Sequence, residues 1–404
     1  MHDEPQQPGQ PANQQKQQRK AARDAARSVT AAKSSAQSKS KPTTKPPTKP
    51  ARQSAKQPAI PPAMPPDMTT GTVKVMSAVD PASFNPHMME RQMAAMTRLL
   101  EQQDFQTDEE AQAFLDQINA QGGPIIAPPT TPLEQAQDLI AEAWGLSGRR
   151  RDKLIRQALD LSPDCADAYV LMAESTNDPK KARDYYEQGM RVGERAIGPE
   201  MFTQIAADGE FWRTIETRPY MRARQGLATV LWLLGERAAA TEHMLAMLRL
   251  NPNDNQGLRY MLASWLLIAG DDLALKRATD LLKQFAEDDS AFMAYSRLLL
   301  TLRTKGPGAA ADQALRAAMQ TNPFVPFYLL GLLPLPKQPP EYYGFGDQDE
   351  AITYLVEGGG EAWAARETDV EWLVEALVRL APPGLNEQFQ PGPERHHKRP
   401  RKHK

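Results

Sequence analysis

A single cysteine, Cys165, is all the thiol chemistry in this chain of 404 residues. That excludes an intrachain disulfide framework and a cysteine-built metal site. Membrane-length apolar runs are missing too. The longest runs, such as Tyr328 to Pro336 with its Gly331 and Pro334, are too short or too broken by Pro and Gly, whereas a spanning helix needs about 20 apolar residues. The N-terminus lacks the apolar core of a secretory signal, so the expectation is a soluble, cytoplasmic protein with no membrane span. Catalytic patterns are equally scarce. His243 is the one histidine within the predicted repeats, and a lone imidazole makes no triad without a nucleophile at a recognisable turn. Neither Gly-x-Ser-x-Gly nor a phosphate-binding loop occurs. Carboxylate pairs such as Asp208 with Glu210 and Asp347 with Asp349 read as helix caps rather than acid/base pairs. No catalytic residue, cofactor or metal is expected, and the tail pair His396 and His397 reads as part of a solvated basic segment.

What is present is unevenly distributed. Residues 1–60 hold twelve Lys/Arg against three Asp/Glu, and the last fourteen residues hold six against one. With a net charge of -2 overall, about -16 remains on residues 61–390. An acidic body therefore lies between two basic tails. Residues 1–82 carry almost no large apolar side chain over most of their length, so they bury too little surface to offset the entropy of ordering them. Within them, Lys39 to Pro66 (KSKPTTKPPTKPARQSAKQPAIPPAMPP) reads as an extended, solvated Lys/Pro linker. Order is expected after about Pro81, and residues 383–404 form a second disordered basic tail.

Residues 83–131 predict a helical hairpin and linker. Met89, Met93, Met96 and Leu100 recur at helical spacing, Thr107 with Glu110 offers a capping box for a second helix through Phe114 and Ile118, and GGPIIAPP follows. Over residues 132–333 a repeated pattern appears. Counting back from Pro252 places a small residue at Ala240 and large ones at Met244 and Met247. The same count from Pro323 gives Tyr295 and Leu298 on a first helix, then Ala311, Leu315 and Ala318 on a second. Looser copies carry Ala158, then Ala182 with Tyr186 and Gly189, then Ala278 with Leu282 and Phe285, and residues 195–216 read as an insertion. The pattern resembles the tetratricopeptide repeat. That resemblance implies an all-α, right-handed solenoid of helical hairpins, in which neighbours must stack to bury their apolar faces. The six tryptophans fall mostly on apolar helical positions and read as core, and Cys165 reads as a small buried packing residue, with a redox sensor as the alternative.

The phrases SPDCADAYVLMAE, EFWRTIETRPYMRARQGLA, LNPNDNQGLRYML, NPFVPFYLLG and EYYGFGDQDEAITY resemble those of the suppressor of tumorigenicity protein seven family and its bacterial tetratricopeptide relatives, over roughly residues 83–380. The resemblance implies interaction rather than chemistry. Animal members are described as membrane-associated, a property not expected to transfer to a chain without a visible span.

Residues 334–382 read as a C-terminal cap. Pro334, Pro336, Pro339 and Pro340 stop the helix, Tyr342, Tyr343 and Phe345 supply apolar area to dock on the last repeat, and Asp347 with Glu350 caps a new helix. A ligand-binding loop is the alternative there. The partner-binding surface is expected on the first helices of the repeats, at Arg222, Gln225, Gln256, Arg259, Tyr260 and Arg297, beside Ser296. Stacked guanidinium groups hold carboxylates by paired hydrogen bonds, which points to a protein or acidic peptide as partner. Against this stands the reading that the arginines pair with the body's own acids. The chain is thus expected to be a non-catalytic adaptor. Two alternatives are weak, nonspecific nucleic-acid binding through the tails and an enzyme with an unfamiliar site.

Overall fold

The computed structural model describes residues 86–103, 105, 107–121 and 127–380. The two basic tails, the expected onset of order near Pro81 and most of the GGPIIAPP linker lie outside these residues. Among the described residues every regular element is a helix. They divide into two compact units, with the boundary between Leu258 and Arg259.

The first unit contains α1 (Pro86–Glu101), α2 (Asp108–Gln121), α3 (Pro132–Ala143), α4 (Gly148–Leu161), α5 (Ala166–Ser175), α6 (Pro179–Ile197), α7 (Pro199–Asp208), a 3-10 turn (Ile215–Thr217), α8 (Arg218–Leu233) and α9 (Arg237–Leu250). Several starts are written locally. At Thr131 a reciprocal capping box forms, with Glu134 N donating to Thr131 Oγ1 (3.2 Å) and Thr131 N donating to Glu134 Oε2 (3.1 Å); Pro132, with no N–H to satisfy, follows it. Asp178 and Pro179 begin α6 in the same manner, Lys180 N donating to Asp178 Oδ1 at 3.0 Å.

Packing then follows small residues. α3 pairs with α4, α5 with α6, and α8 with both α6 and α9. Ala136, Ile140, Ala143, Ile155, Ala158, Cys165, Ala168 and Leu171 form one buried cluster, and Ala240, Met244 and Met247 are wholly enclosed further along. Gly226 shows how close the approach is: a Cβ there would fall 2.1 Å from the Tyr186 ring. Residues 195–216 supply α7 and the turn after it. There Phe202 meets Phe211 (ring centroids 4.7 Å) and Tyr220 (5.4 Å), and Phe211 N donates to Leu250 O at 3.2 Å.

α1 docks with the face opposite to the one its methionines suggest. Ala95 and Arg98 are buried, His87, Glu90 and Arg91 are half-buried, and Met88, Met89 and Met93 are exposed. Its inward groups find charged partners, which an apolar stripe would have left unpaired.

The second unit runs through α10 (Leu258–Ala269), α11 (Asp272–Gln284), α12 (Ala291–Lys305), α13 (Ala309–Thr321), α14 (Val325–Leu329), α15 (Gln348–Tyr354), a π turn (Leu355–Gly359), α16 (Gly360–Ala364) and α17 (Glu367–Leu380). Asp271, Ser290 and Asp347 cap α11, α12 and α15 through their side chains. Tyr295, Leu298, Ala311, Leu315 and Ala318 are buried between α12 and α13. The side chain of Arg303 is fully enclosed; its Nε donates to Asp369 Oδ2 (2.8 Å), its Nη2 to Ala362 O (2.6 Å) and its Nη1 to Leu267 O.

Of the three aromatics expected to dock at residues 342–345, only Tyr343 makes contact, its ring 6.2 Å from that of Phe292. Tyr342 is 79% exposed, Phe345 75% and Tyr343 43%. A buried carboxylate organises this segment instead. Glu350 accepts from Ala291 N (2.9 Å), Asn322 Nδ2 (3.0 Å) and Gly346 N (2.7 Å), while the apolar contact falls to Tyr354, packed edge-on to Phe292 at 5.6 Å and tilted against Tyr295 at 5.9 Å.

Candidate interaction site

In the first unit a cavity of about 100 Å³ lies between α1, α3 and the start of α8, lined by His87, Glu90, Asp138, Trp144, Asp167 and Arg222 among others. Arg222 is its electrostatic centre. Its Nε donates to Asp167 Oδ1 (2.8 Å), its Nη2 to Asp167 Oδ2 (2.5 Å) and its Nη1 to Glu90 Oε2 (2.8 Å). The side chains of Arg222, Glu90 and Asp167 are 16%, 14% and 8% exposed. Burial works against the guanidinium charge, but the carboxylates of Asp167 and Glu90 overcome it and hold the proton more firmly than usual. Arg218 adds a second grip on Glu90 (Nη1 to Oε1, 3.3 Å), donates Nε to Trp212 O (2.8 Å), and lies 5.3 Å over the Trp212 ring.

One turn before Glu90, His87 stacks on Trp144 with ring centroids 4.0 Å apart and planes 3° from parallel. Burial lowers its pKa to about 4, Arg222 pushes in the same direction, and Asp167 opposes. The imidazole is therefore neutral at physiological pH and packs as an aromatic plate. Nearby, Cys165 is wholly buried, and that burial, with Asp167, pushes its thiol up to about 12. Such a thiol holds its proton and is a poor nucleophile; it serves as core.

The positions expected to bind a partner are each engaged within the chain. Arg222 is held as described. Gln225 accepts from Gln256 Nε2 at 2.8 Å. In the second unit Arg259 Nε donates to Asp288 Oδ2 (2.6 Å) and its Nη2 to Tyr260 OH (2.6 Å), and Tyr260 OH completes the triangle to Asp288 Oδ2 at 3.0 Å. The Arg259 guanidinium lies 4.3 Å from the Tyr260 ring centre and 5.1 Å from that of Phe285. Burial raises the Tyr260 phenol to about 12. For Asp288 burial pulls upward, but hydrogen bonds from Ser290 and Arg259 prevail and lower it. Arg297 spends its guanidinium on carbonyls, donating to Asp288 O (3.0 Å), Phe285 O (2.8 Å) and Ala286 O (3.0 Å), and Ser296 is buried.

Sequence reasoning named Arg222 but missed Glu90, Arg218, Asp167 and Asp288. One signal was available for Glu90. His87, Glu90, Arg91 and Arg98 place polar side chains on one face of α1 at three-, four- and seven-residue spacing.

The architecture defines an all-helical protein of paired, short-linked helices with arginine–carboxylate clusters on their faces. In sequence the chain is similar to suppressor of tumorigenicity 7 proteins. It is 27% identical over 254 residues to the chicken (Gallus gallus) suppressor of tumorigenicity 7 protein-like, a match covering 56% of this chain and 44% of that protein. It is 29% identical over 261 residues to the Rattus norvegicus counterpart (55% and 43%) and 26% identical over 253 residues to the Caenorhabditis briggsae protein ST7 homolog (54% and 46%). The matched region thus spans less than half of these relatives' own length. No family model matches the chain, and no solved structure does. Among the described residues no helix is long and apolar enough to cross a membrane.

Proposed function

We propose that the chain is a non-catalytic interaction scaffold on the tetratricopeptide plan, binding a carboxylate-bearing helical segment of a partner protein at arginines on its helix pairs. Two features support the plan. The pairs α3/α4, α5/α6, α8/α9, α10/α11 and α12/α13 are each joined by a turn of two to four residues. Every second helix also buries an alanine: Ala158, Ala182, Ala240, Ala278 and Ala311.

The observation that carries the binding reading is the grip of Arg218 and Arg222 on Glu90, a carboxylate delivered by a helix 128 and 132 residues away in sequence. A helix-borne carboxylate is the chemistry this surface takes. α1 occupies the site, and a partner helix presenting its own carboxylate competes with it. Arg259 and Tyr260 around Asp288 offer comparable chemistry in the second unit, and Gln225, Gln256 and Arg297 complete the proposed contact set.

The test titrates a labelled peptide of residues 84–103 into the full-length Glu90→Gln protein, in which Arg218 and Arg222 lack the Glu90 carboxylate and Arg222 keeps Asp167. Saturable binding is expected. It should weaken by about one to two orders of magnitude when the peptide carries Glu90→Gln or the protein also carries Arg218→Ala, the range for one charged hydrogen bond. Equal binding of both peptides, or none by either, refutes the reading.

A further inference from the structure

The segment between α14 and α15 presents large apolar side chains that the fold leaves mostly uncovered. Leu332 is 64% exposed, Tyr342 79% and Phe345 75%, with Tyr343 at 43% resting against Phe292 at a centroid distance of 6.2 Å. The backbone beneath them is pinned. Gly344 N donates to Asp347 Oδ2 (2.7 Å), Gly346 N to the buried Glu350 (2.7 Å), Asn322 Nδ2 to Asp347 O (2.8 Å), and Tyr328 OH to Gln348 Oε1 (3.0 Å). Aromatic rings held out on a fixed backbone lose little conformational entropy when they bind, which is the property of interface anchors.

The electrostatics specify what they take. Between Gly331 and Glu357 the only base is Lys337, against Glu341, Asp347, Asp349, Glu350 and Glu357. The Tyr343 phenol registers this surplus. Burial raises its pKa first, Glu357, Glu350 and Asp288 raise it further, and Arg259 offsets part. A surface of exposed tyrosine and phenylalanine rings rimmed with carboxylates suits an extended cationic segment. Prolines lie flat on aromatic faces, and Lys or Arg side chains reach both ring faces and carboxylates. This chain contains such a segment outside its described residues. Lys39 to Pro66 holds nine prolines and six Lys/Arg without one acidic residue.

We infer that residues 39–66 dock on the Tyr342–Phe345 loop of their own chain. The contact is intramolecular. Tethering supplies a high effective concentration, so modest affinity suffices to keep it closed, and a proline-rich strand forfeits little freedom on docking. Because Tyr342 and Phe345 are exposed, changing them leaves the fold intact, and the inference stands or falls independently of the Arg222 site.

The experiment places p-benzoylphenylalanine at position 342 of the full-length protein, irradiates dilute protein and maps the cross-links by mass spectrometry. Expected are intramolecular cross-links concentrated in residues 39–66, lost when that segment is replaced by a Gly/Ser sequence of equal length and competed by a synthetic peptide of residues 39–66. In parallel, Tyr342→Ala with Phe345→Ala should speed tryptic cleavage after Lys39, Arg52 and Lys56, the basic residues of the segment not followed by proline, about five- to tenfold, the ratio for a contact closed about 80–90% of the time. Four results overturn the inference: cross-links centred on residues 391–404, cross-links to a second copy, no cross-links at all, or tail cleavage unchanged in the double variant while the melting curve is that of the wild type.

Discussion

Replacing Arg222 by alanine separates a buried charge cluster from a decorative surface one. The guanidinium makes three hydrogen bonds to two carboxylates, and the side chains of Glu90 and Asp167 are only 14% and 8% exposed. Without it, two largely buried carboxylates remain, with Arg218 still holding Glu90. Breaking a buried pair from one side costs about 3–5 kcal/mol, because the remaining charge keeps its desolvation penalty. An exposed pair would cost about 1 kcal/mol or less. For a domain of 150–250 residues each kcal/mol moves Tm by about 2–4 °C, so the buried case predicts a fall of about 6–20 °C. The assay is thermal melting of the full-length protein followed by circular dichroism and by tryptophan fluorescence, which reports on Trp144 and Trp212 beside the cluster. A double-mutant cycle with Asp167→Asn should show a coupling of about 1–3 kcal/mol, since the amide leaves less charge to strand. A shift below about 2 °C for Arg222→Ala would refute the reasoning and class the cluster with ordinary surface pairs.

Three further outcomes are expected. His87 is neutral in the folded chain down to about pH 4, so the unfolded chain binds more protons between pH 6.5 and 4; stability should be fully present above about pH 6.5 and decline as pH falls through that window, and His87→Gln should flatten this part of a Tm-versus-pH profile. Glu350→Ala strands the amides of Ala291 and Gly346 and should cost about 1–3 kcal/mol for each stranded donor, with hydrogen exchange accelerating first at those two positions; wild-type protection there rules out the carboxylate as organiser of the segment. Phe345→Ala, at a site 75% exposed, should change stability by about 0.5 kcal/mol or less, whereas Tyr343→Ala, which loses the Phe292 contact, should cost about 1 kcal/mol by urea titration.

The helices were legible where a local rule fixes them. Thr107 with Glu110, Asp347 with Glu350, and the alanines at 158, 240, 278 and 311 act through near neighbours or through volume, and both are written in the sequence. Charge pairing was not. Asp167 and Arg222 are 55 residues apart and Glu90 and Arg222 are 132 apart, and no local spacing says which of many carboxylates an arginine meets. Tryptophan shows the same division. Trp265, Trp363 and Trp372 are buried on apolar helix faces as their spacing suggests, while Trp144 stacks with His87, and Trp212 and Trp232 lie beneath Arg218 and Arg237. The residues at 342–345 misled for a related reason. Aromatic content signals burial only when something arrives to cover it, and there Glu350 had already satisfied the chain end.

This division bears on how the arginines act. Sequence reasoning set two readings against each other, a groove that binds an acidic partner and arginines neutralised by the acidic body. Under the proposed function the two are one arrangement, since one of the carboxylates that neutralise Arg218 and Arg222 arrives on a helix that docks by its polar face and leaves Met88, Met89 and Met93 exposed. Binding there, on that proposal, is an exchange of one carboxylate for another. The charge terms nearly cancel in an exchange, so the net free energy must come from what accompanies the incoming carboxylate, mainly apolar contact and fit beside Trp144. Affinity for an acidic helix should therefore depend only weakly on salt, in contrast to the steep dependence of an unoccupied basic groove. For the Glu90→Gln protein, in which Arg218 and Arg222 have lost the Glu90 carboxylate, the same peptide should bind more tightly and with a marked salt dependence. That difference between the two proteins, measured from 50 to 500 mM salt, distinguishes exchange at a filled site from simple attraction to a positive surface.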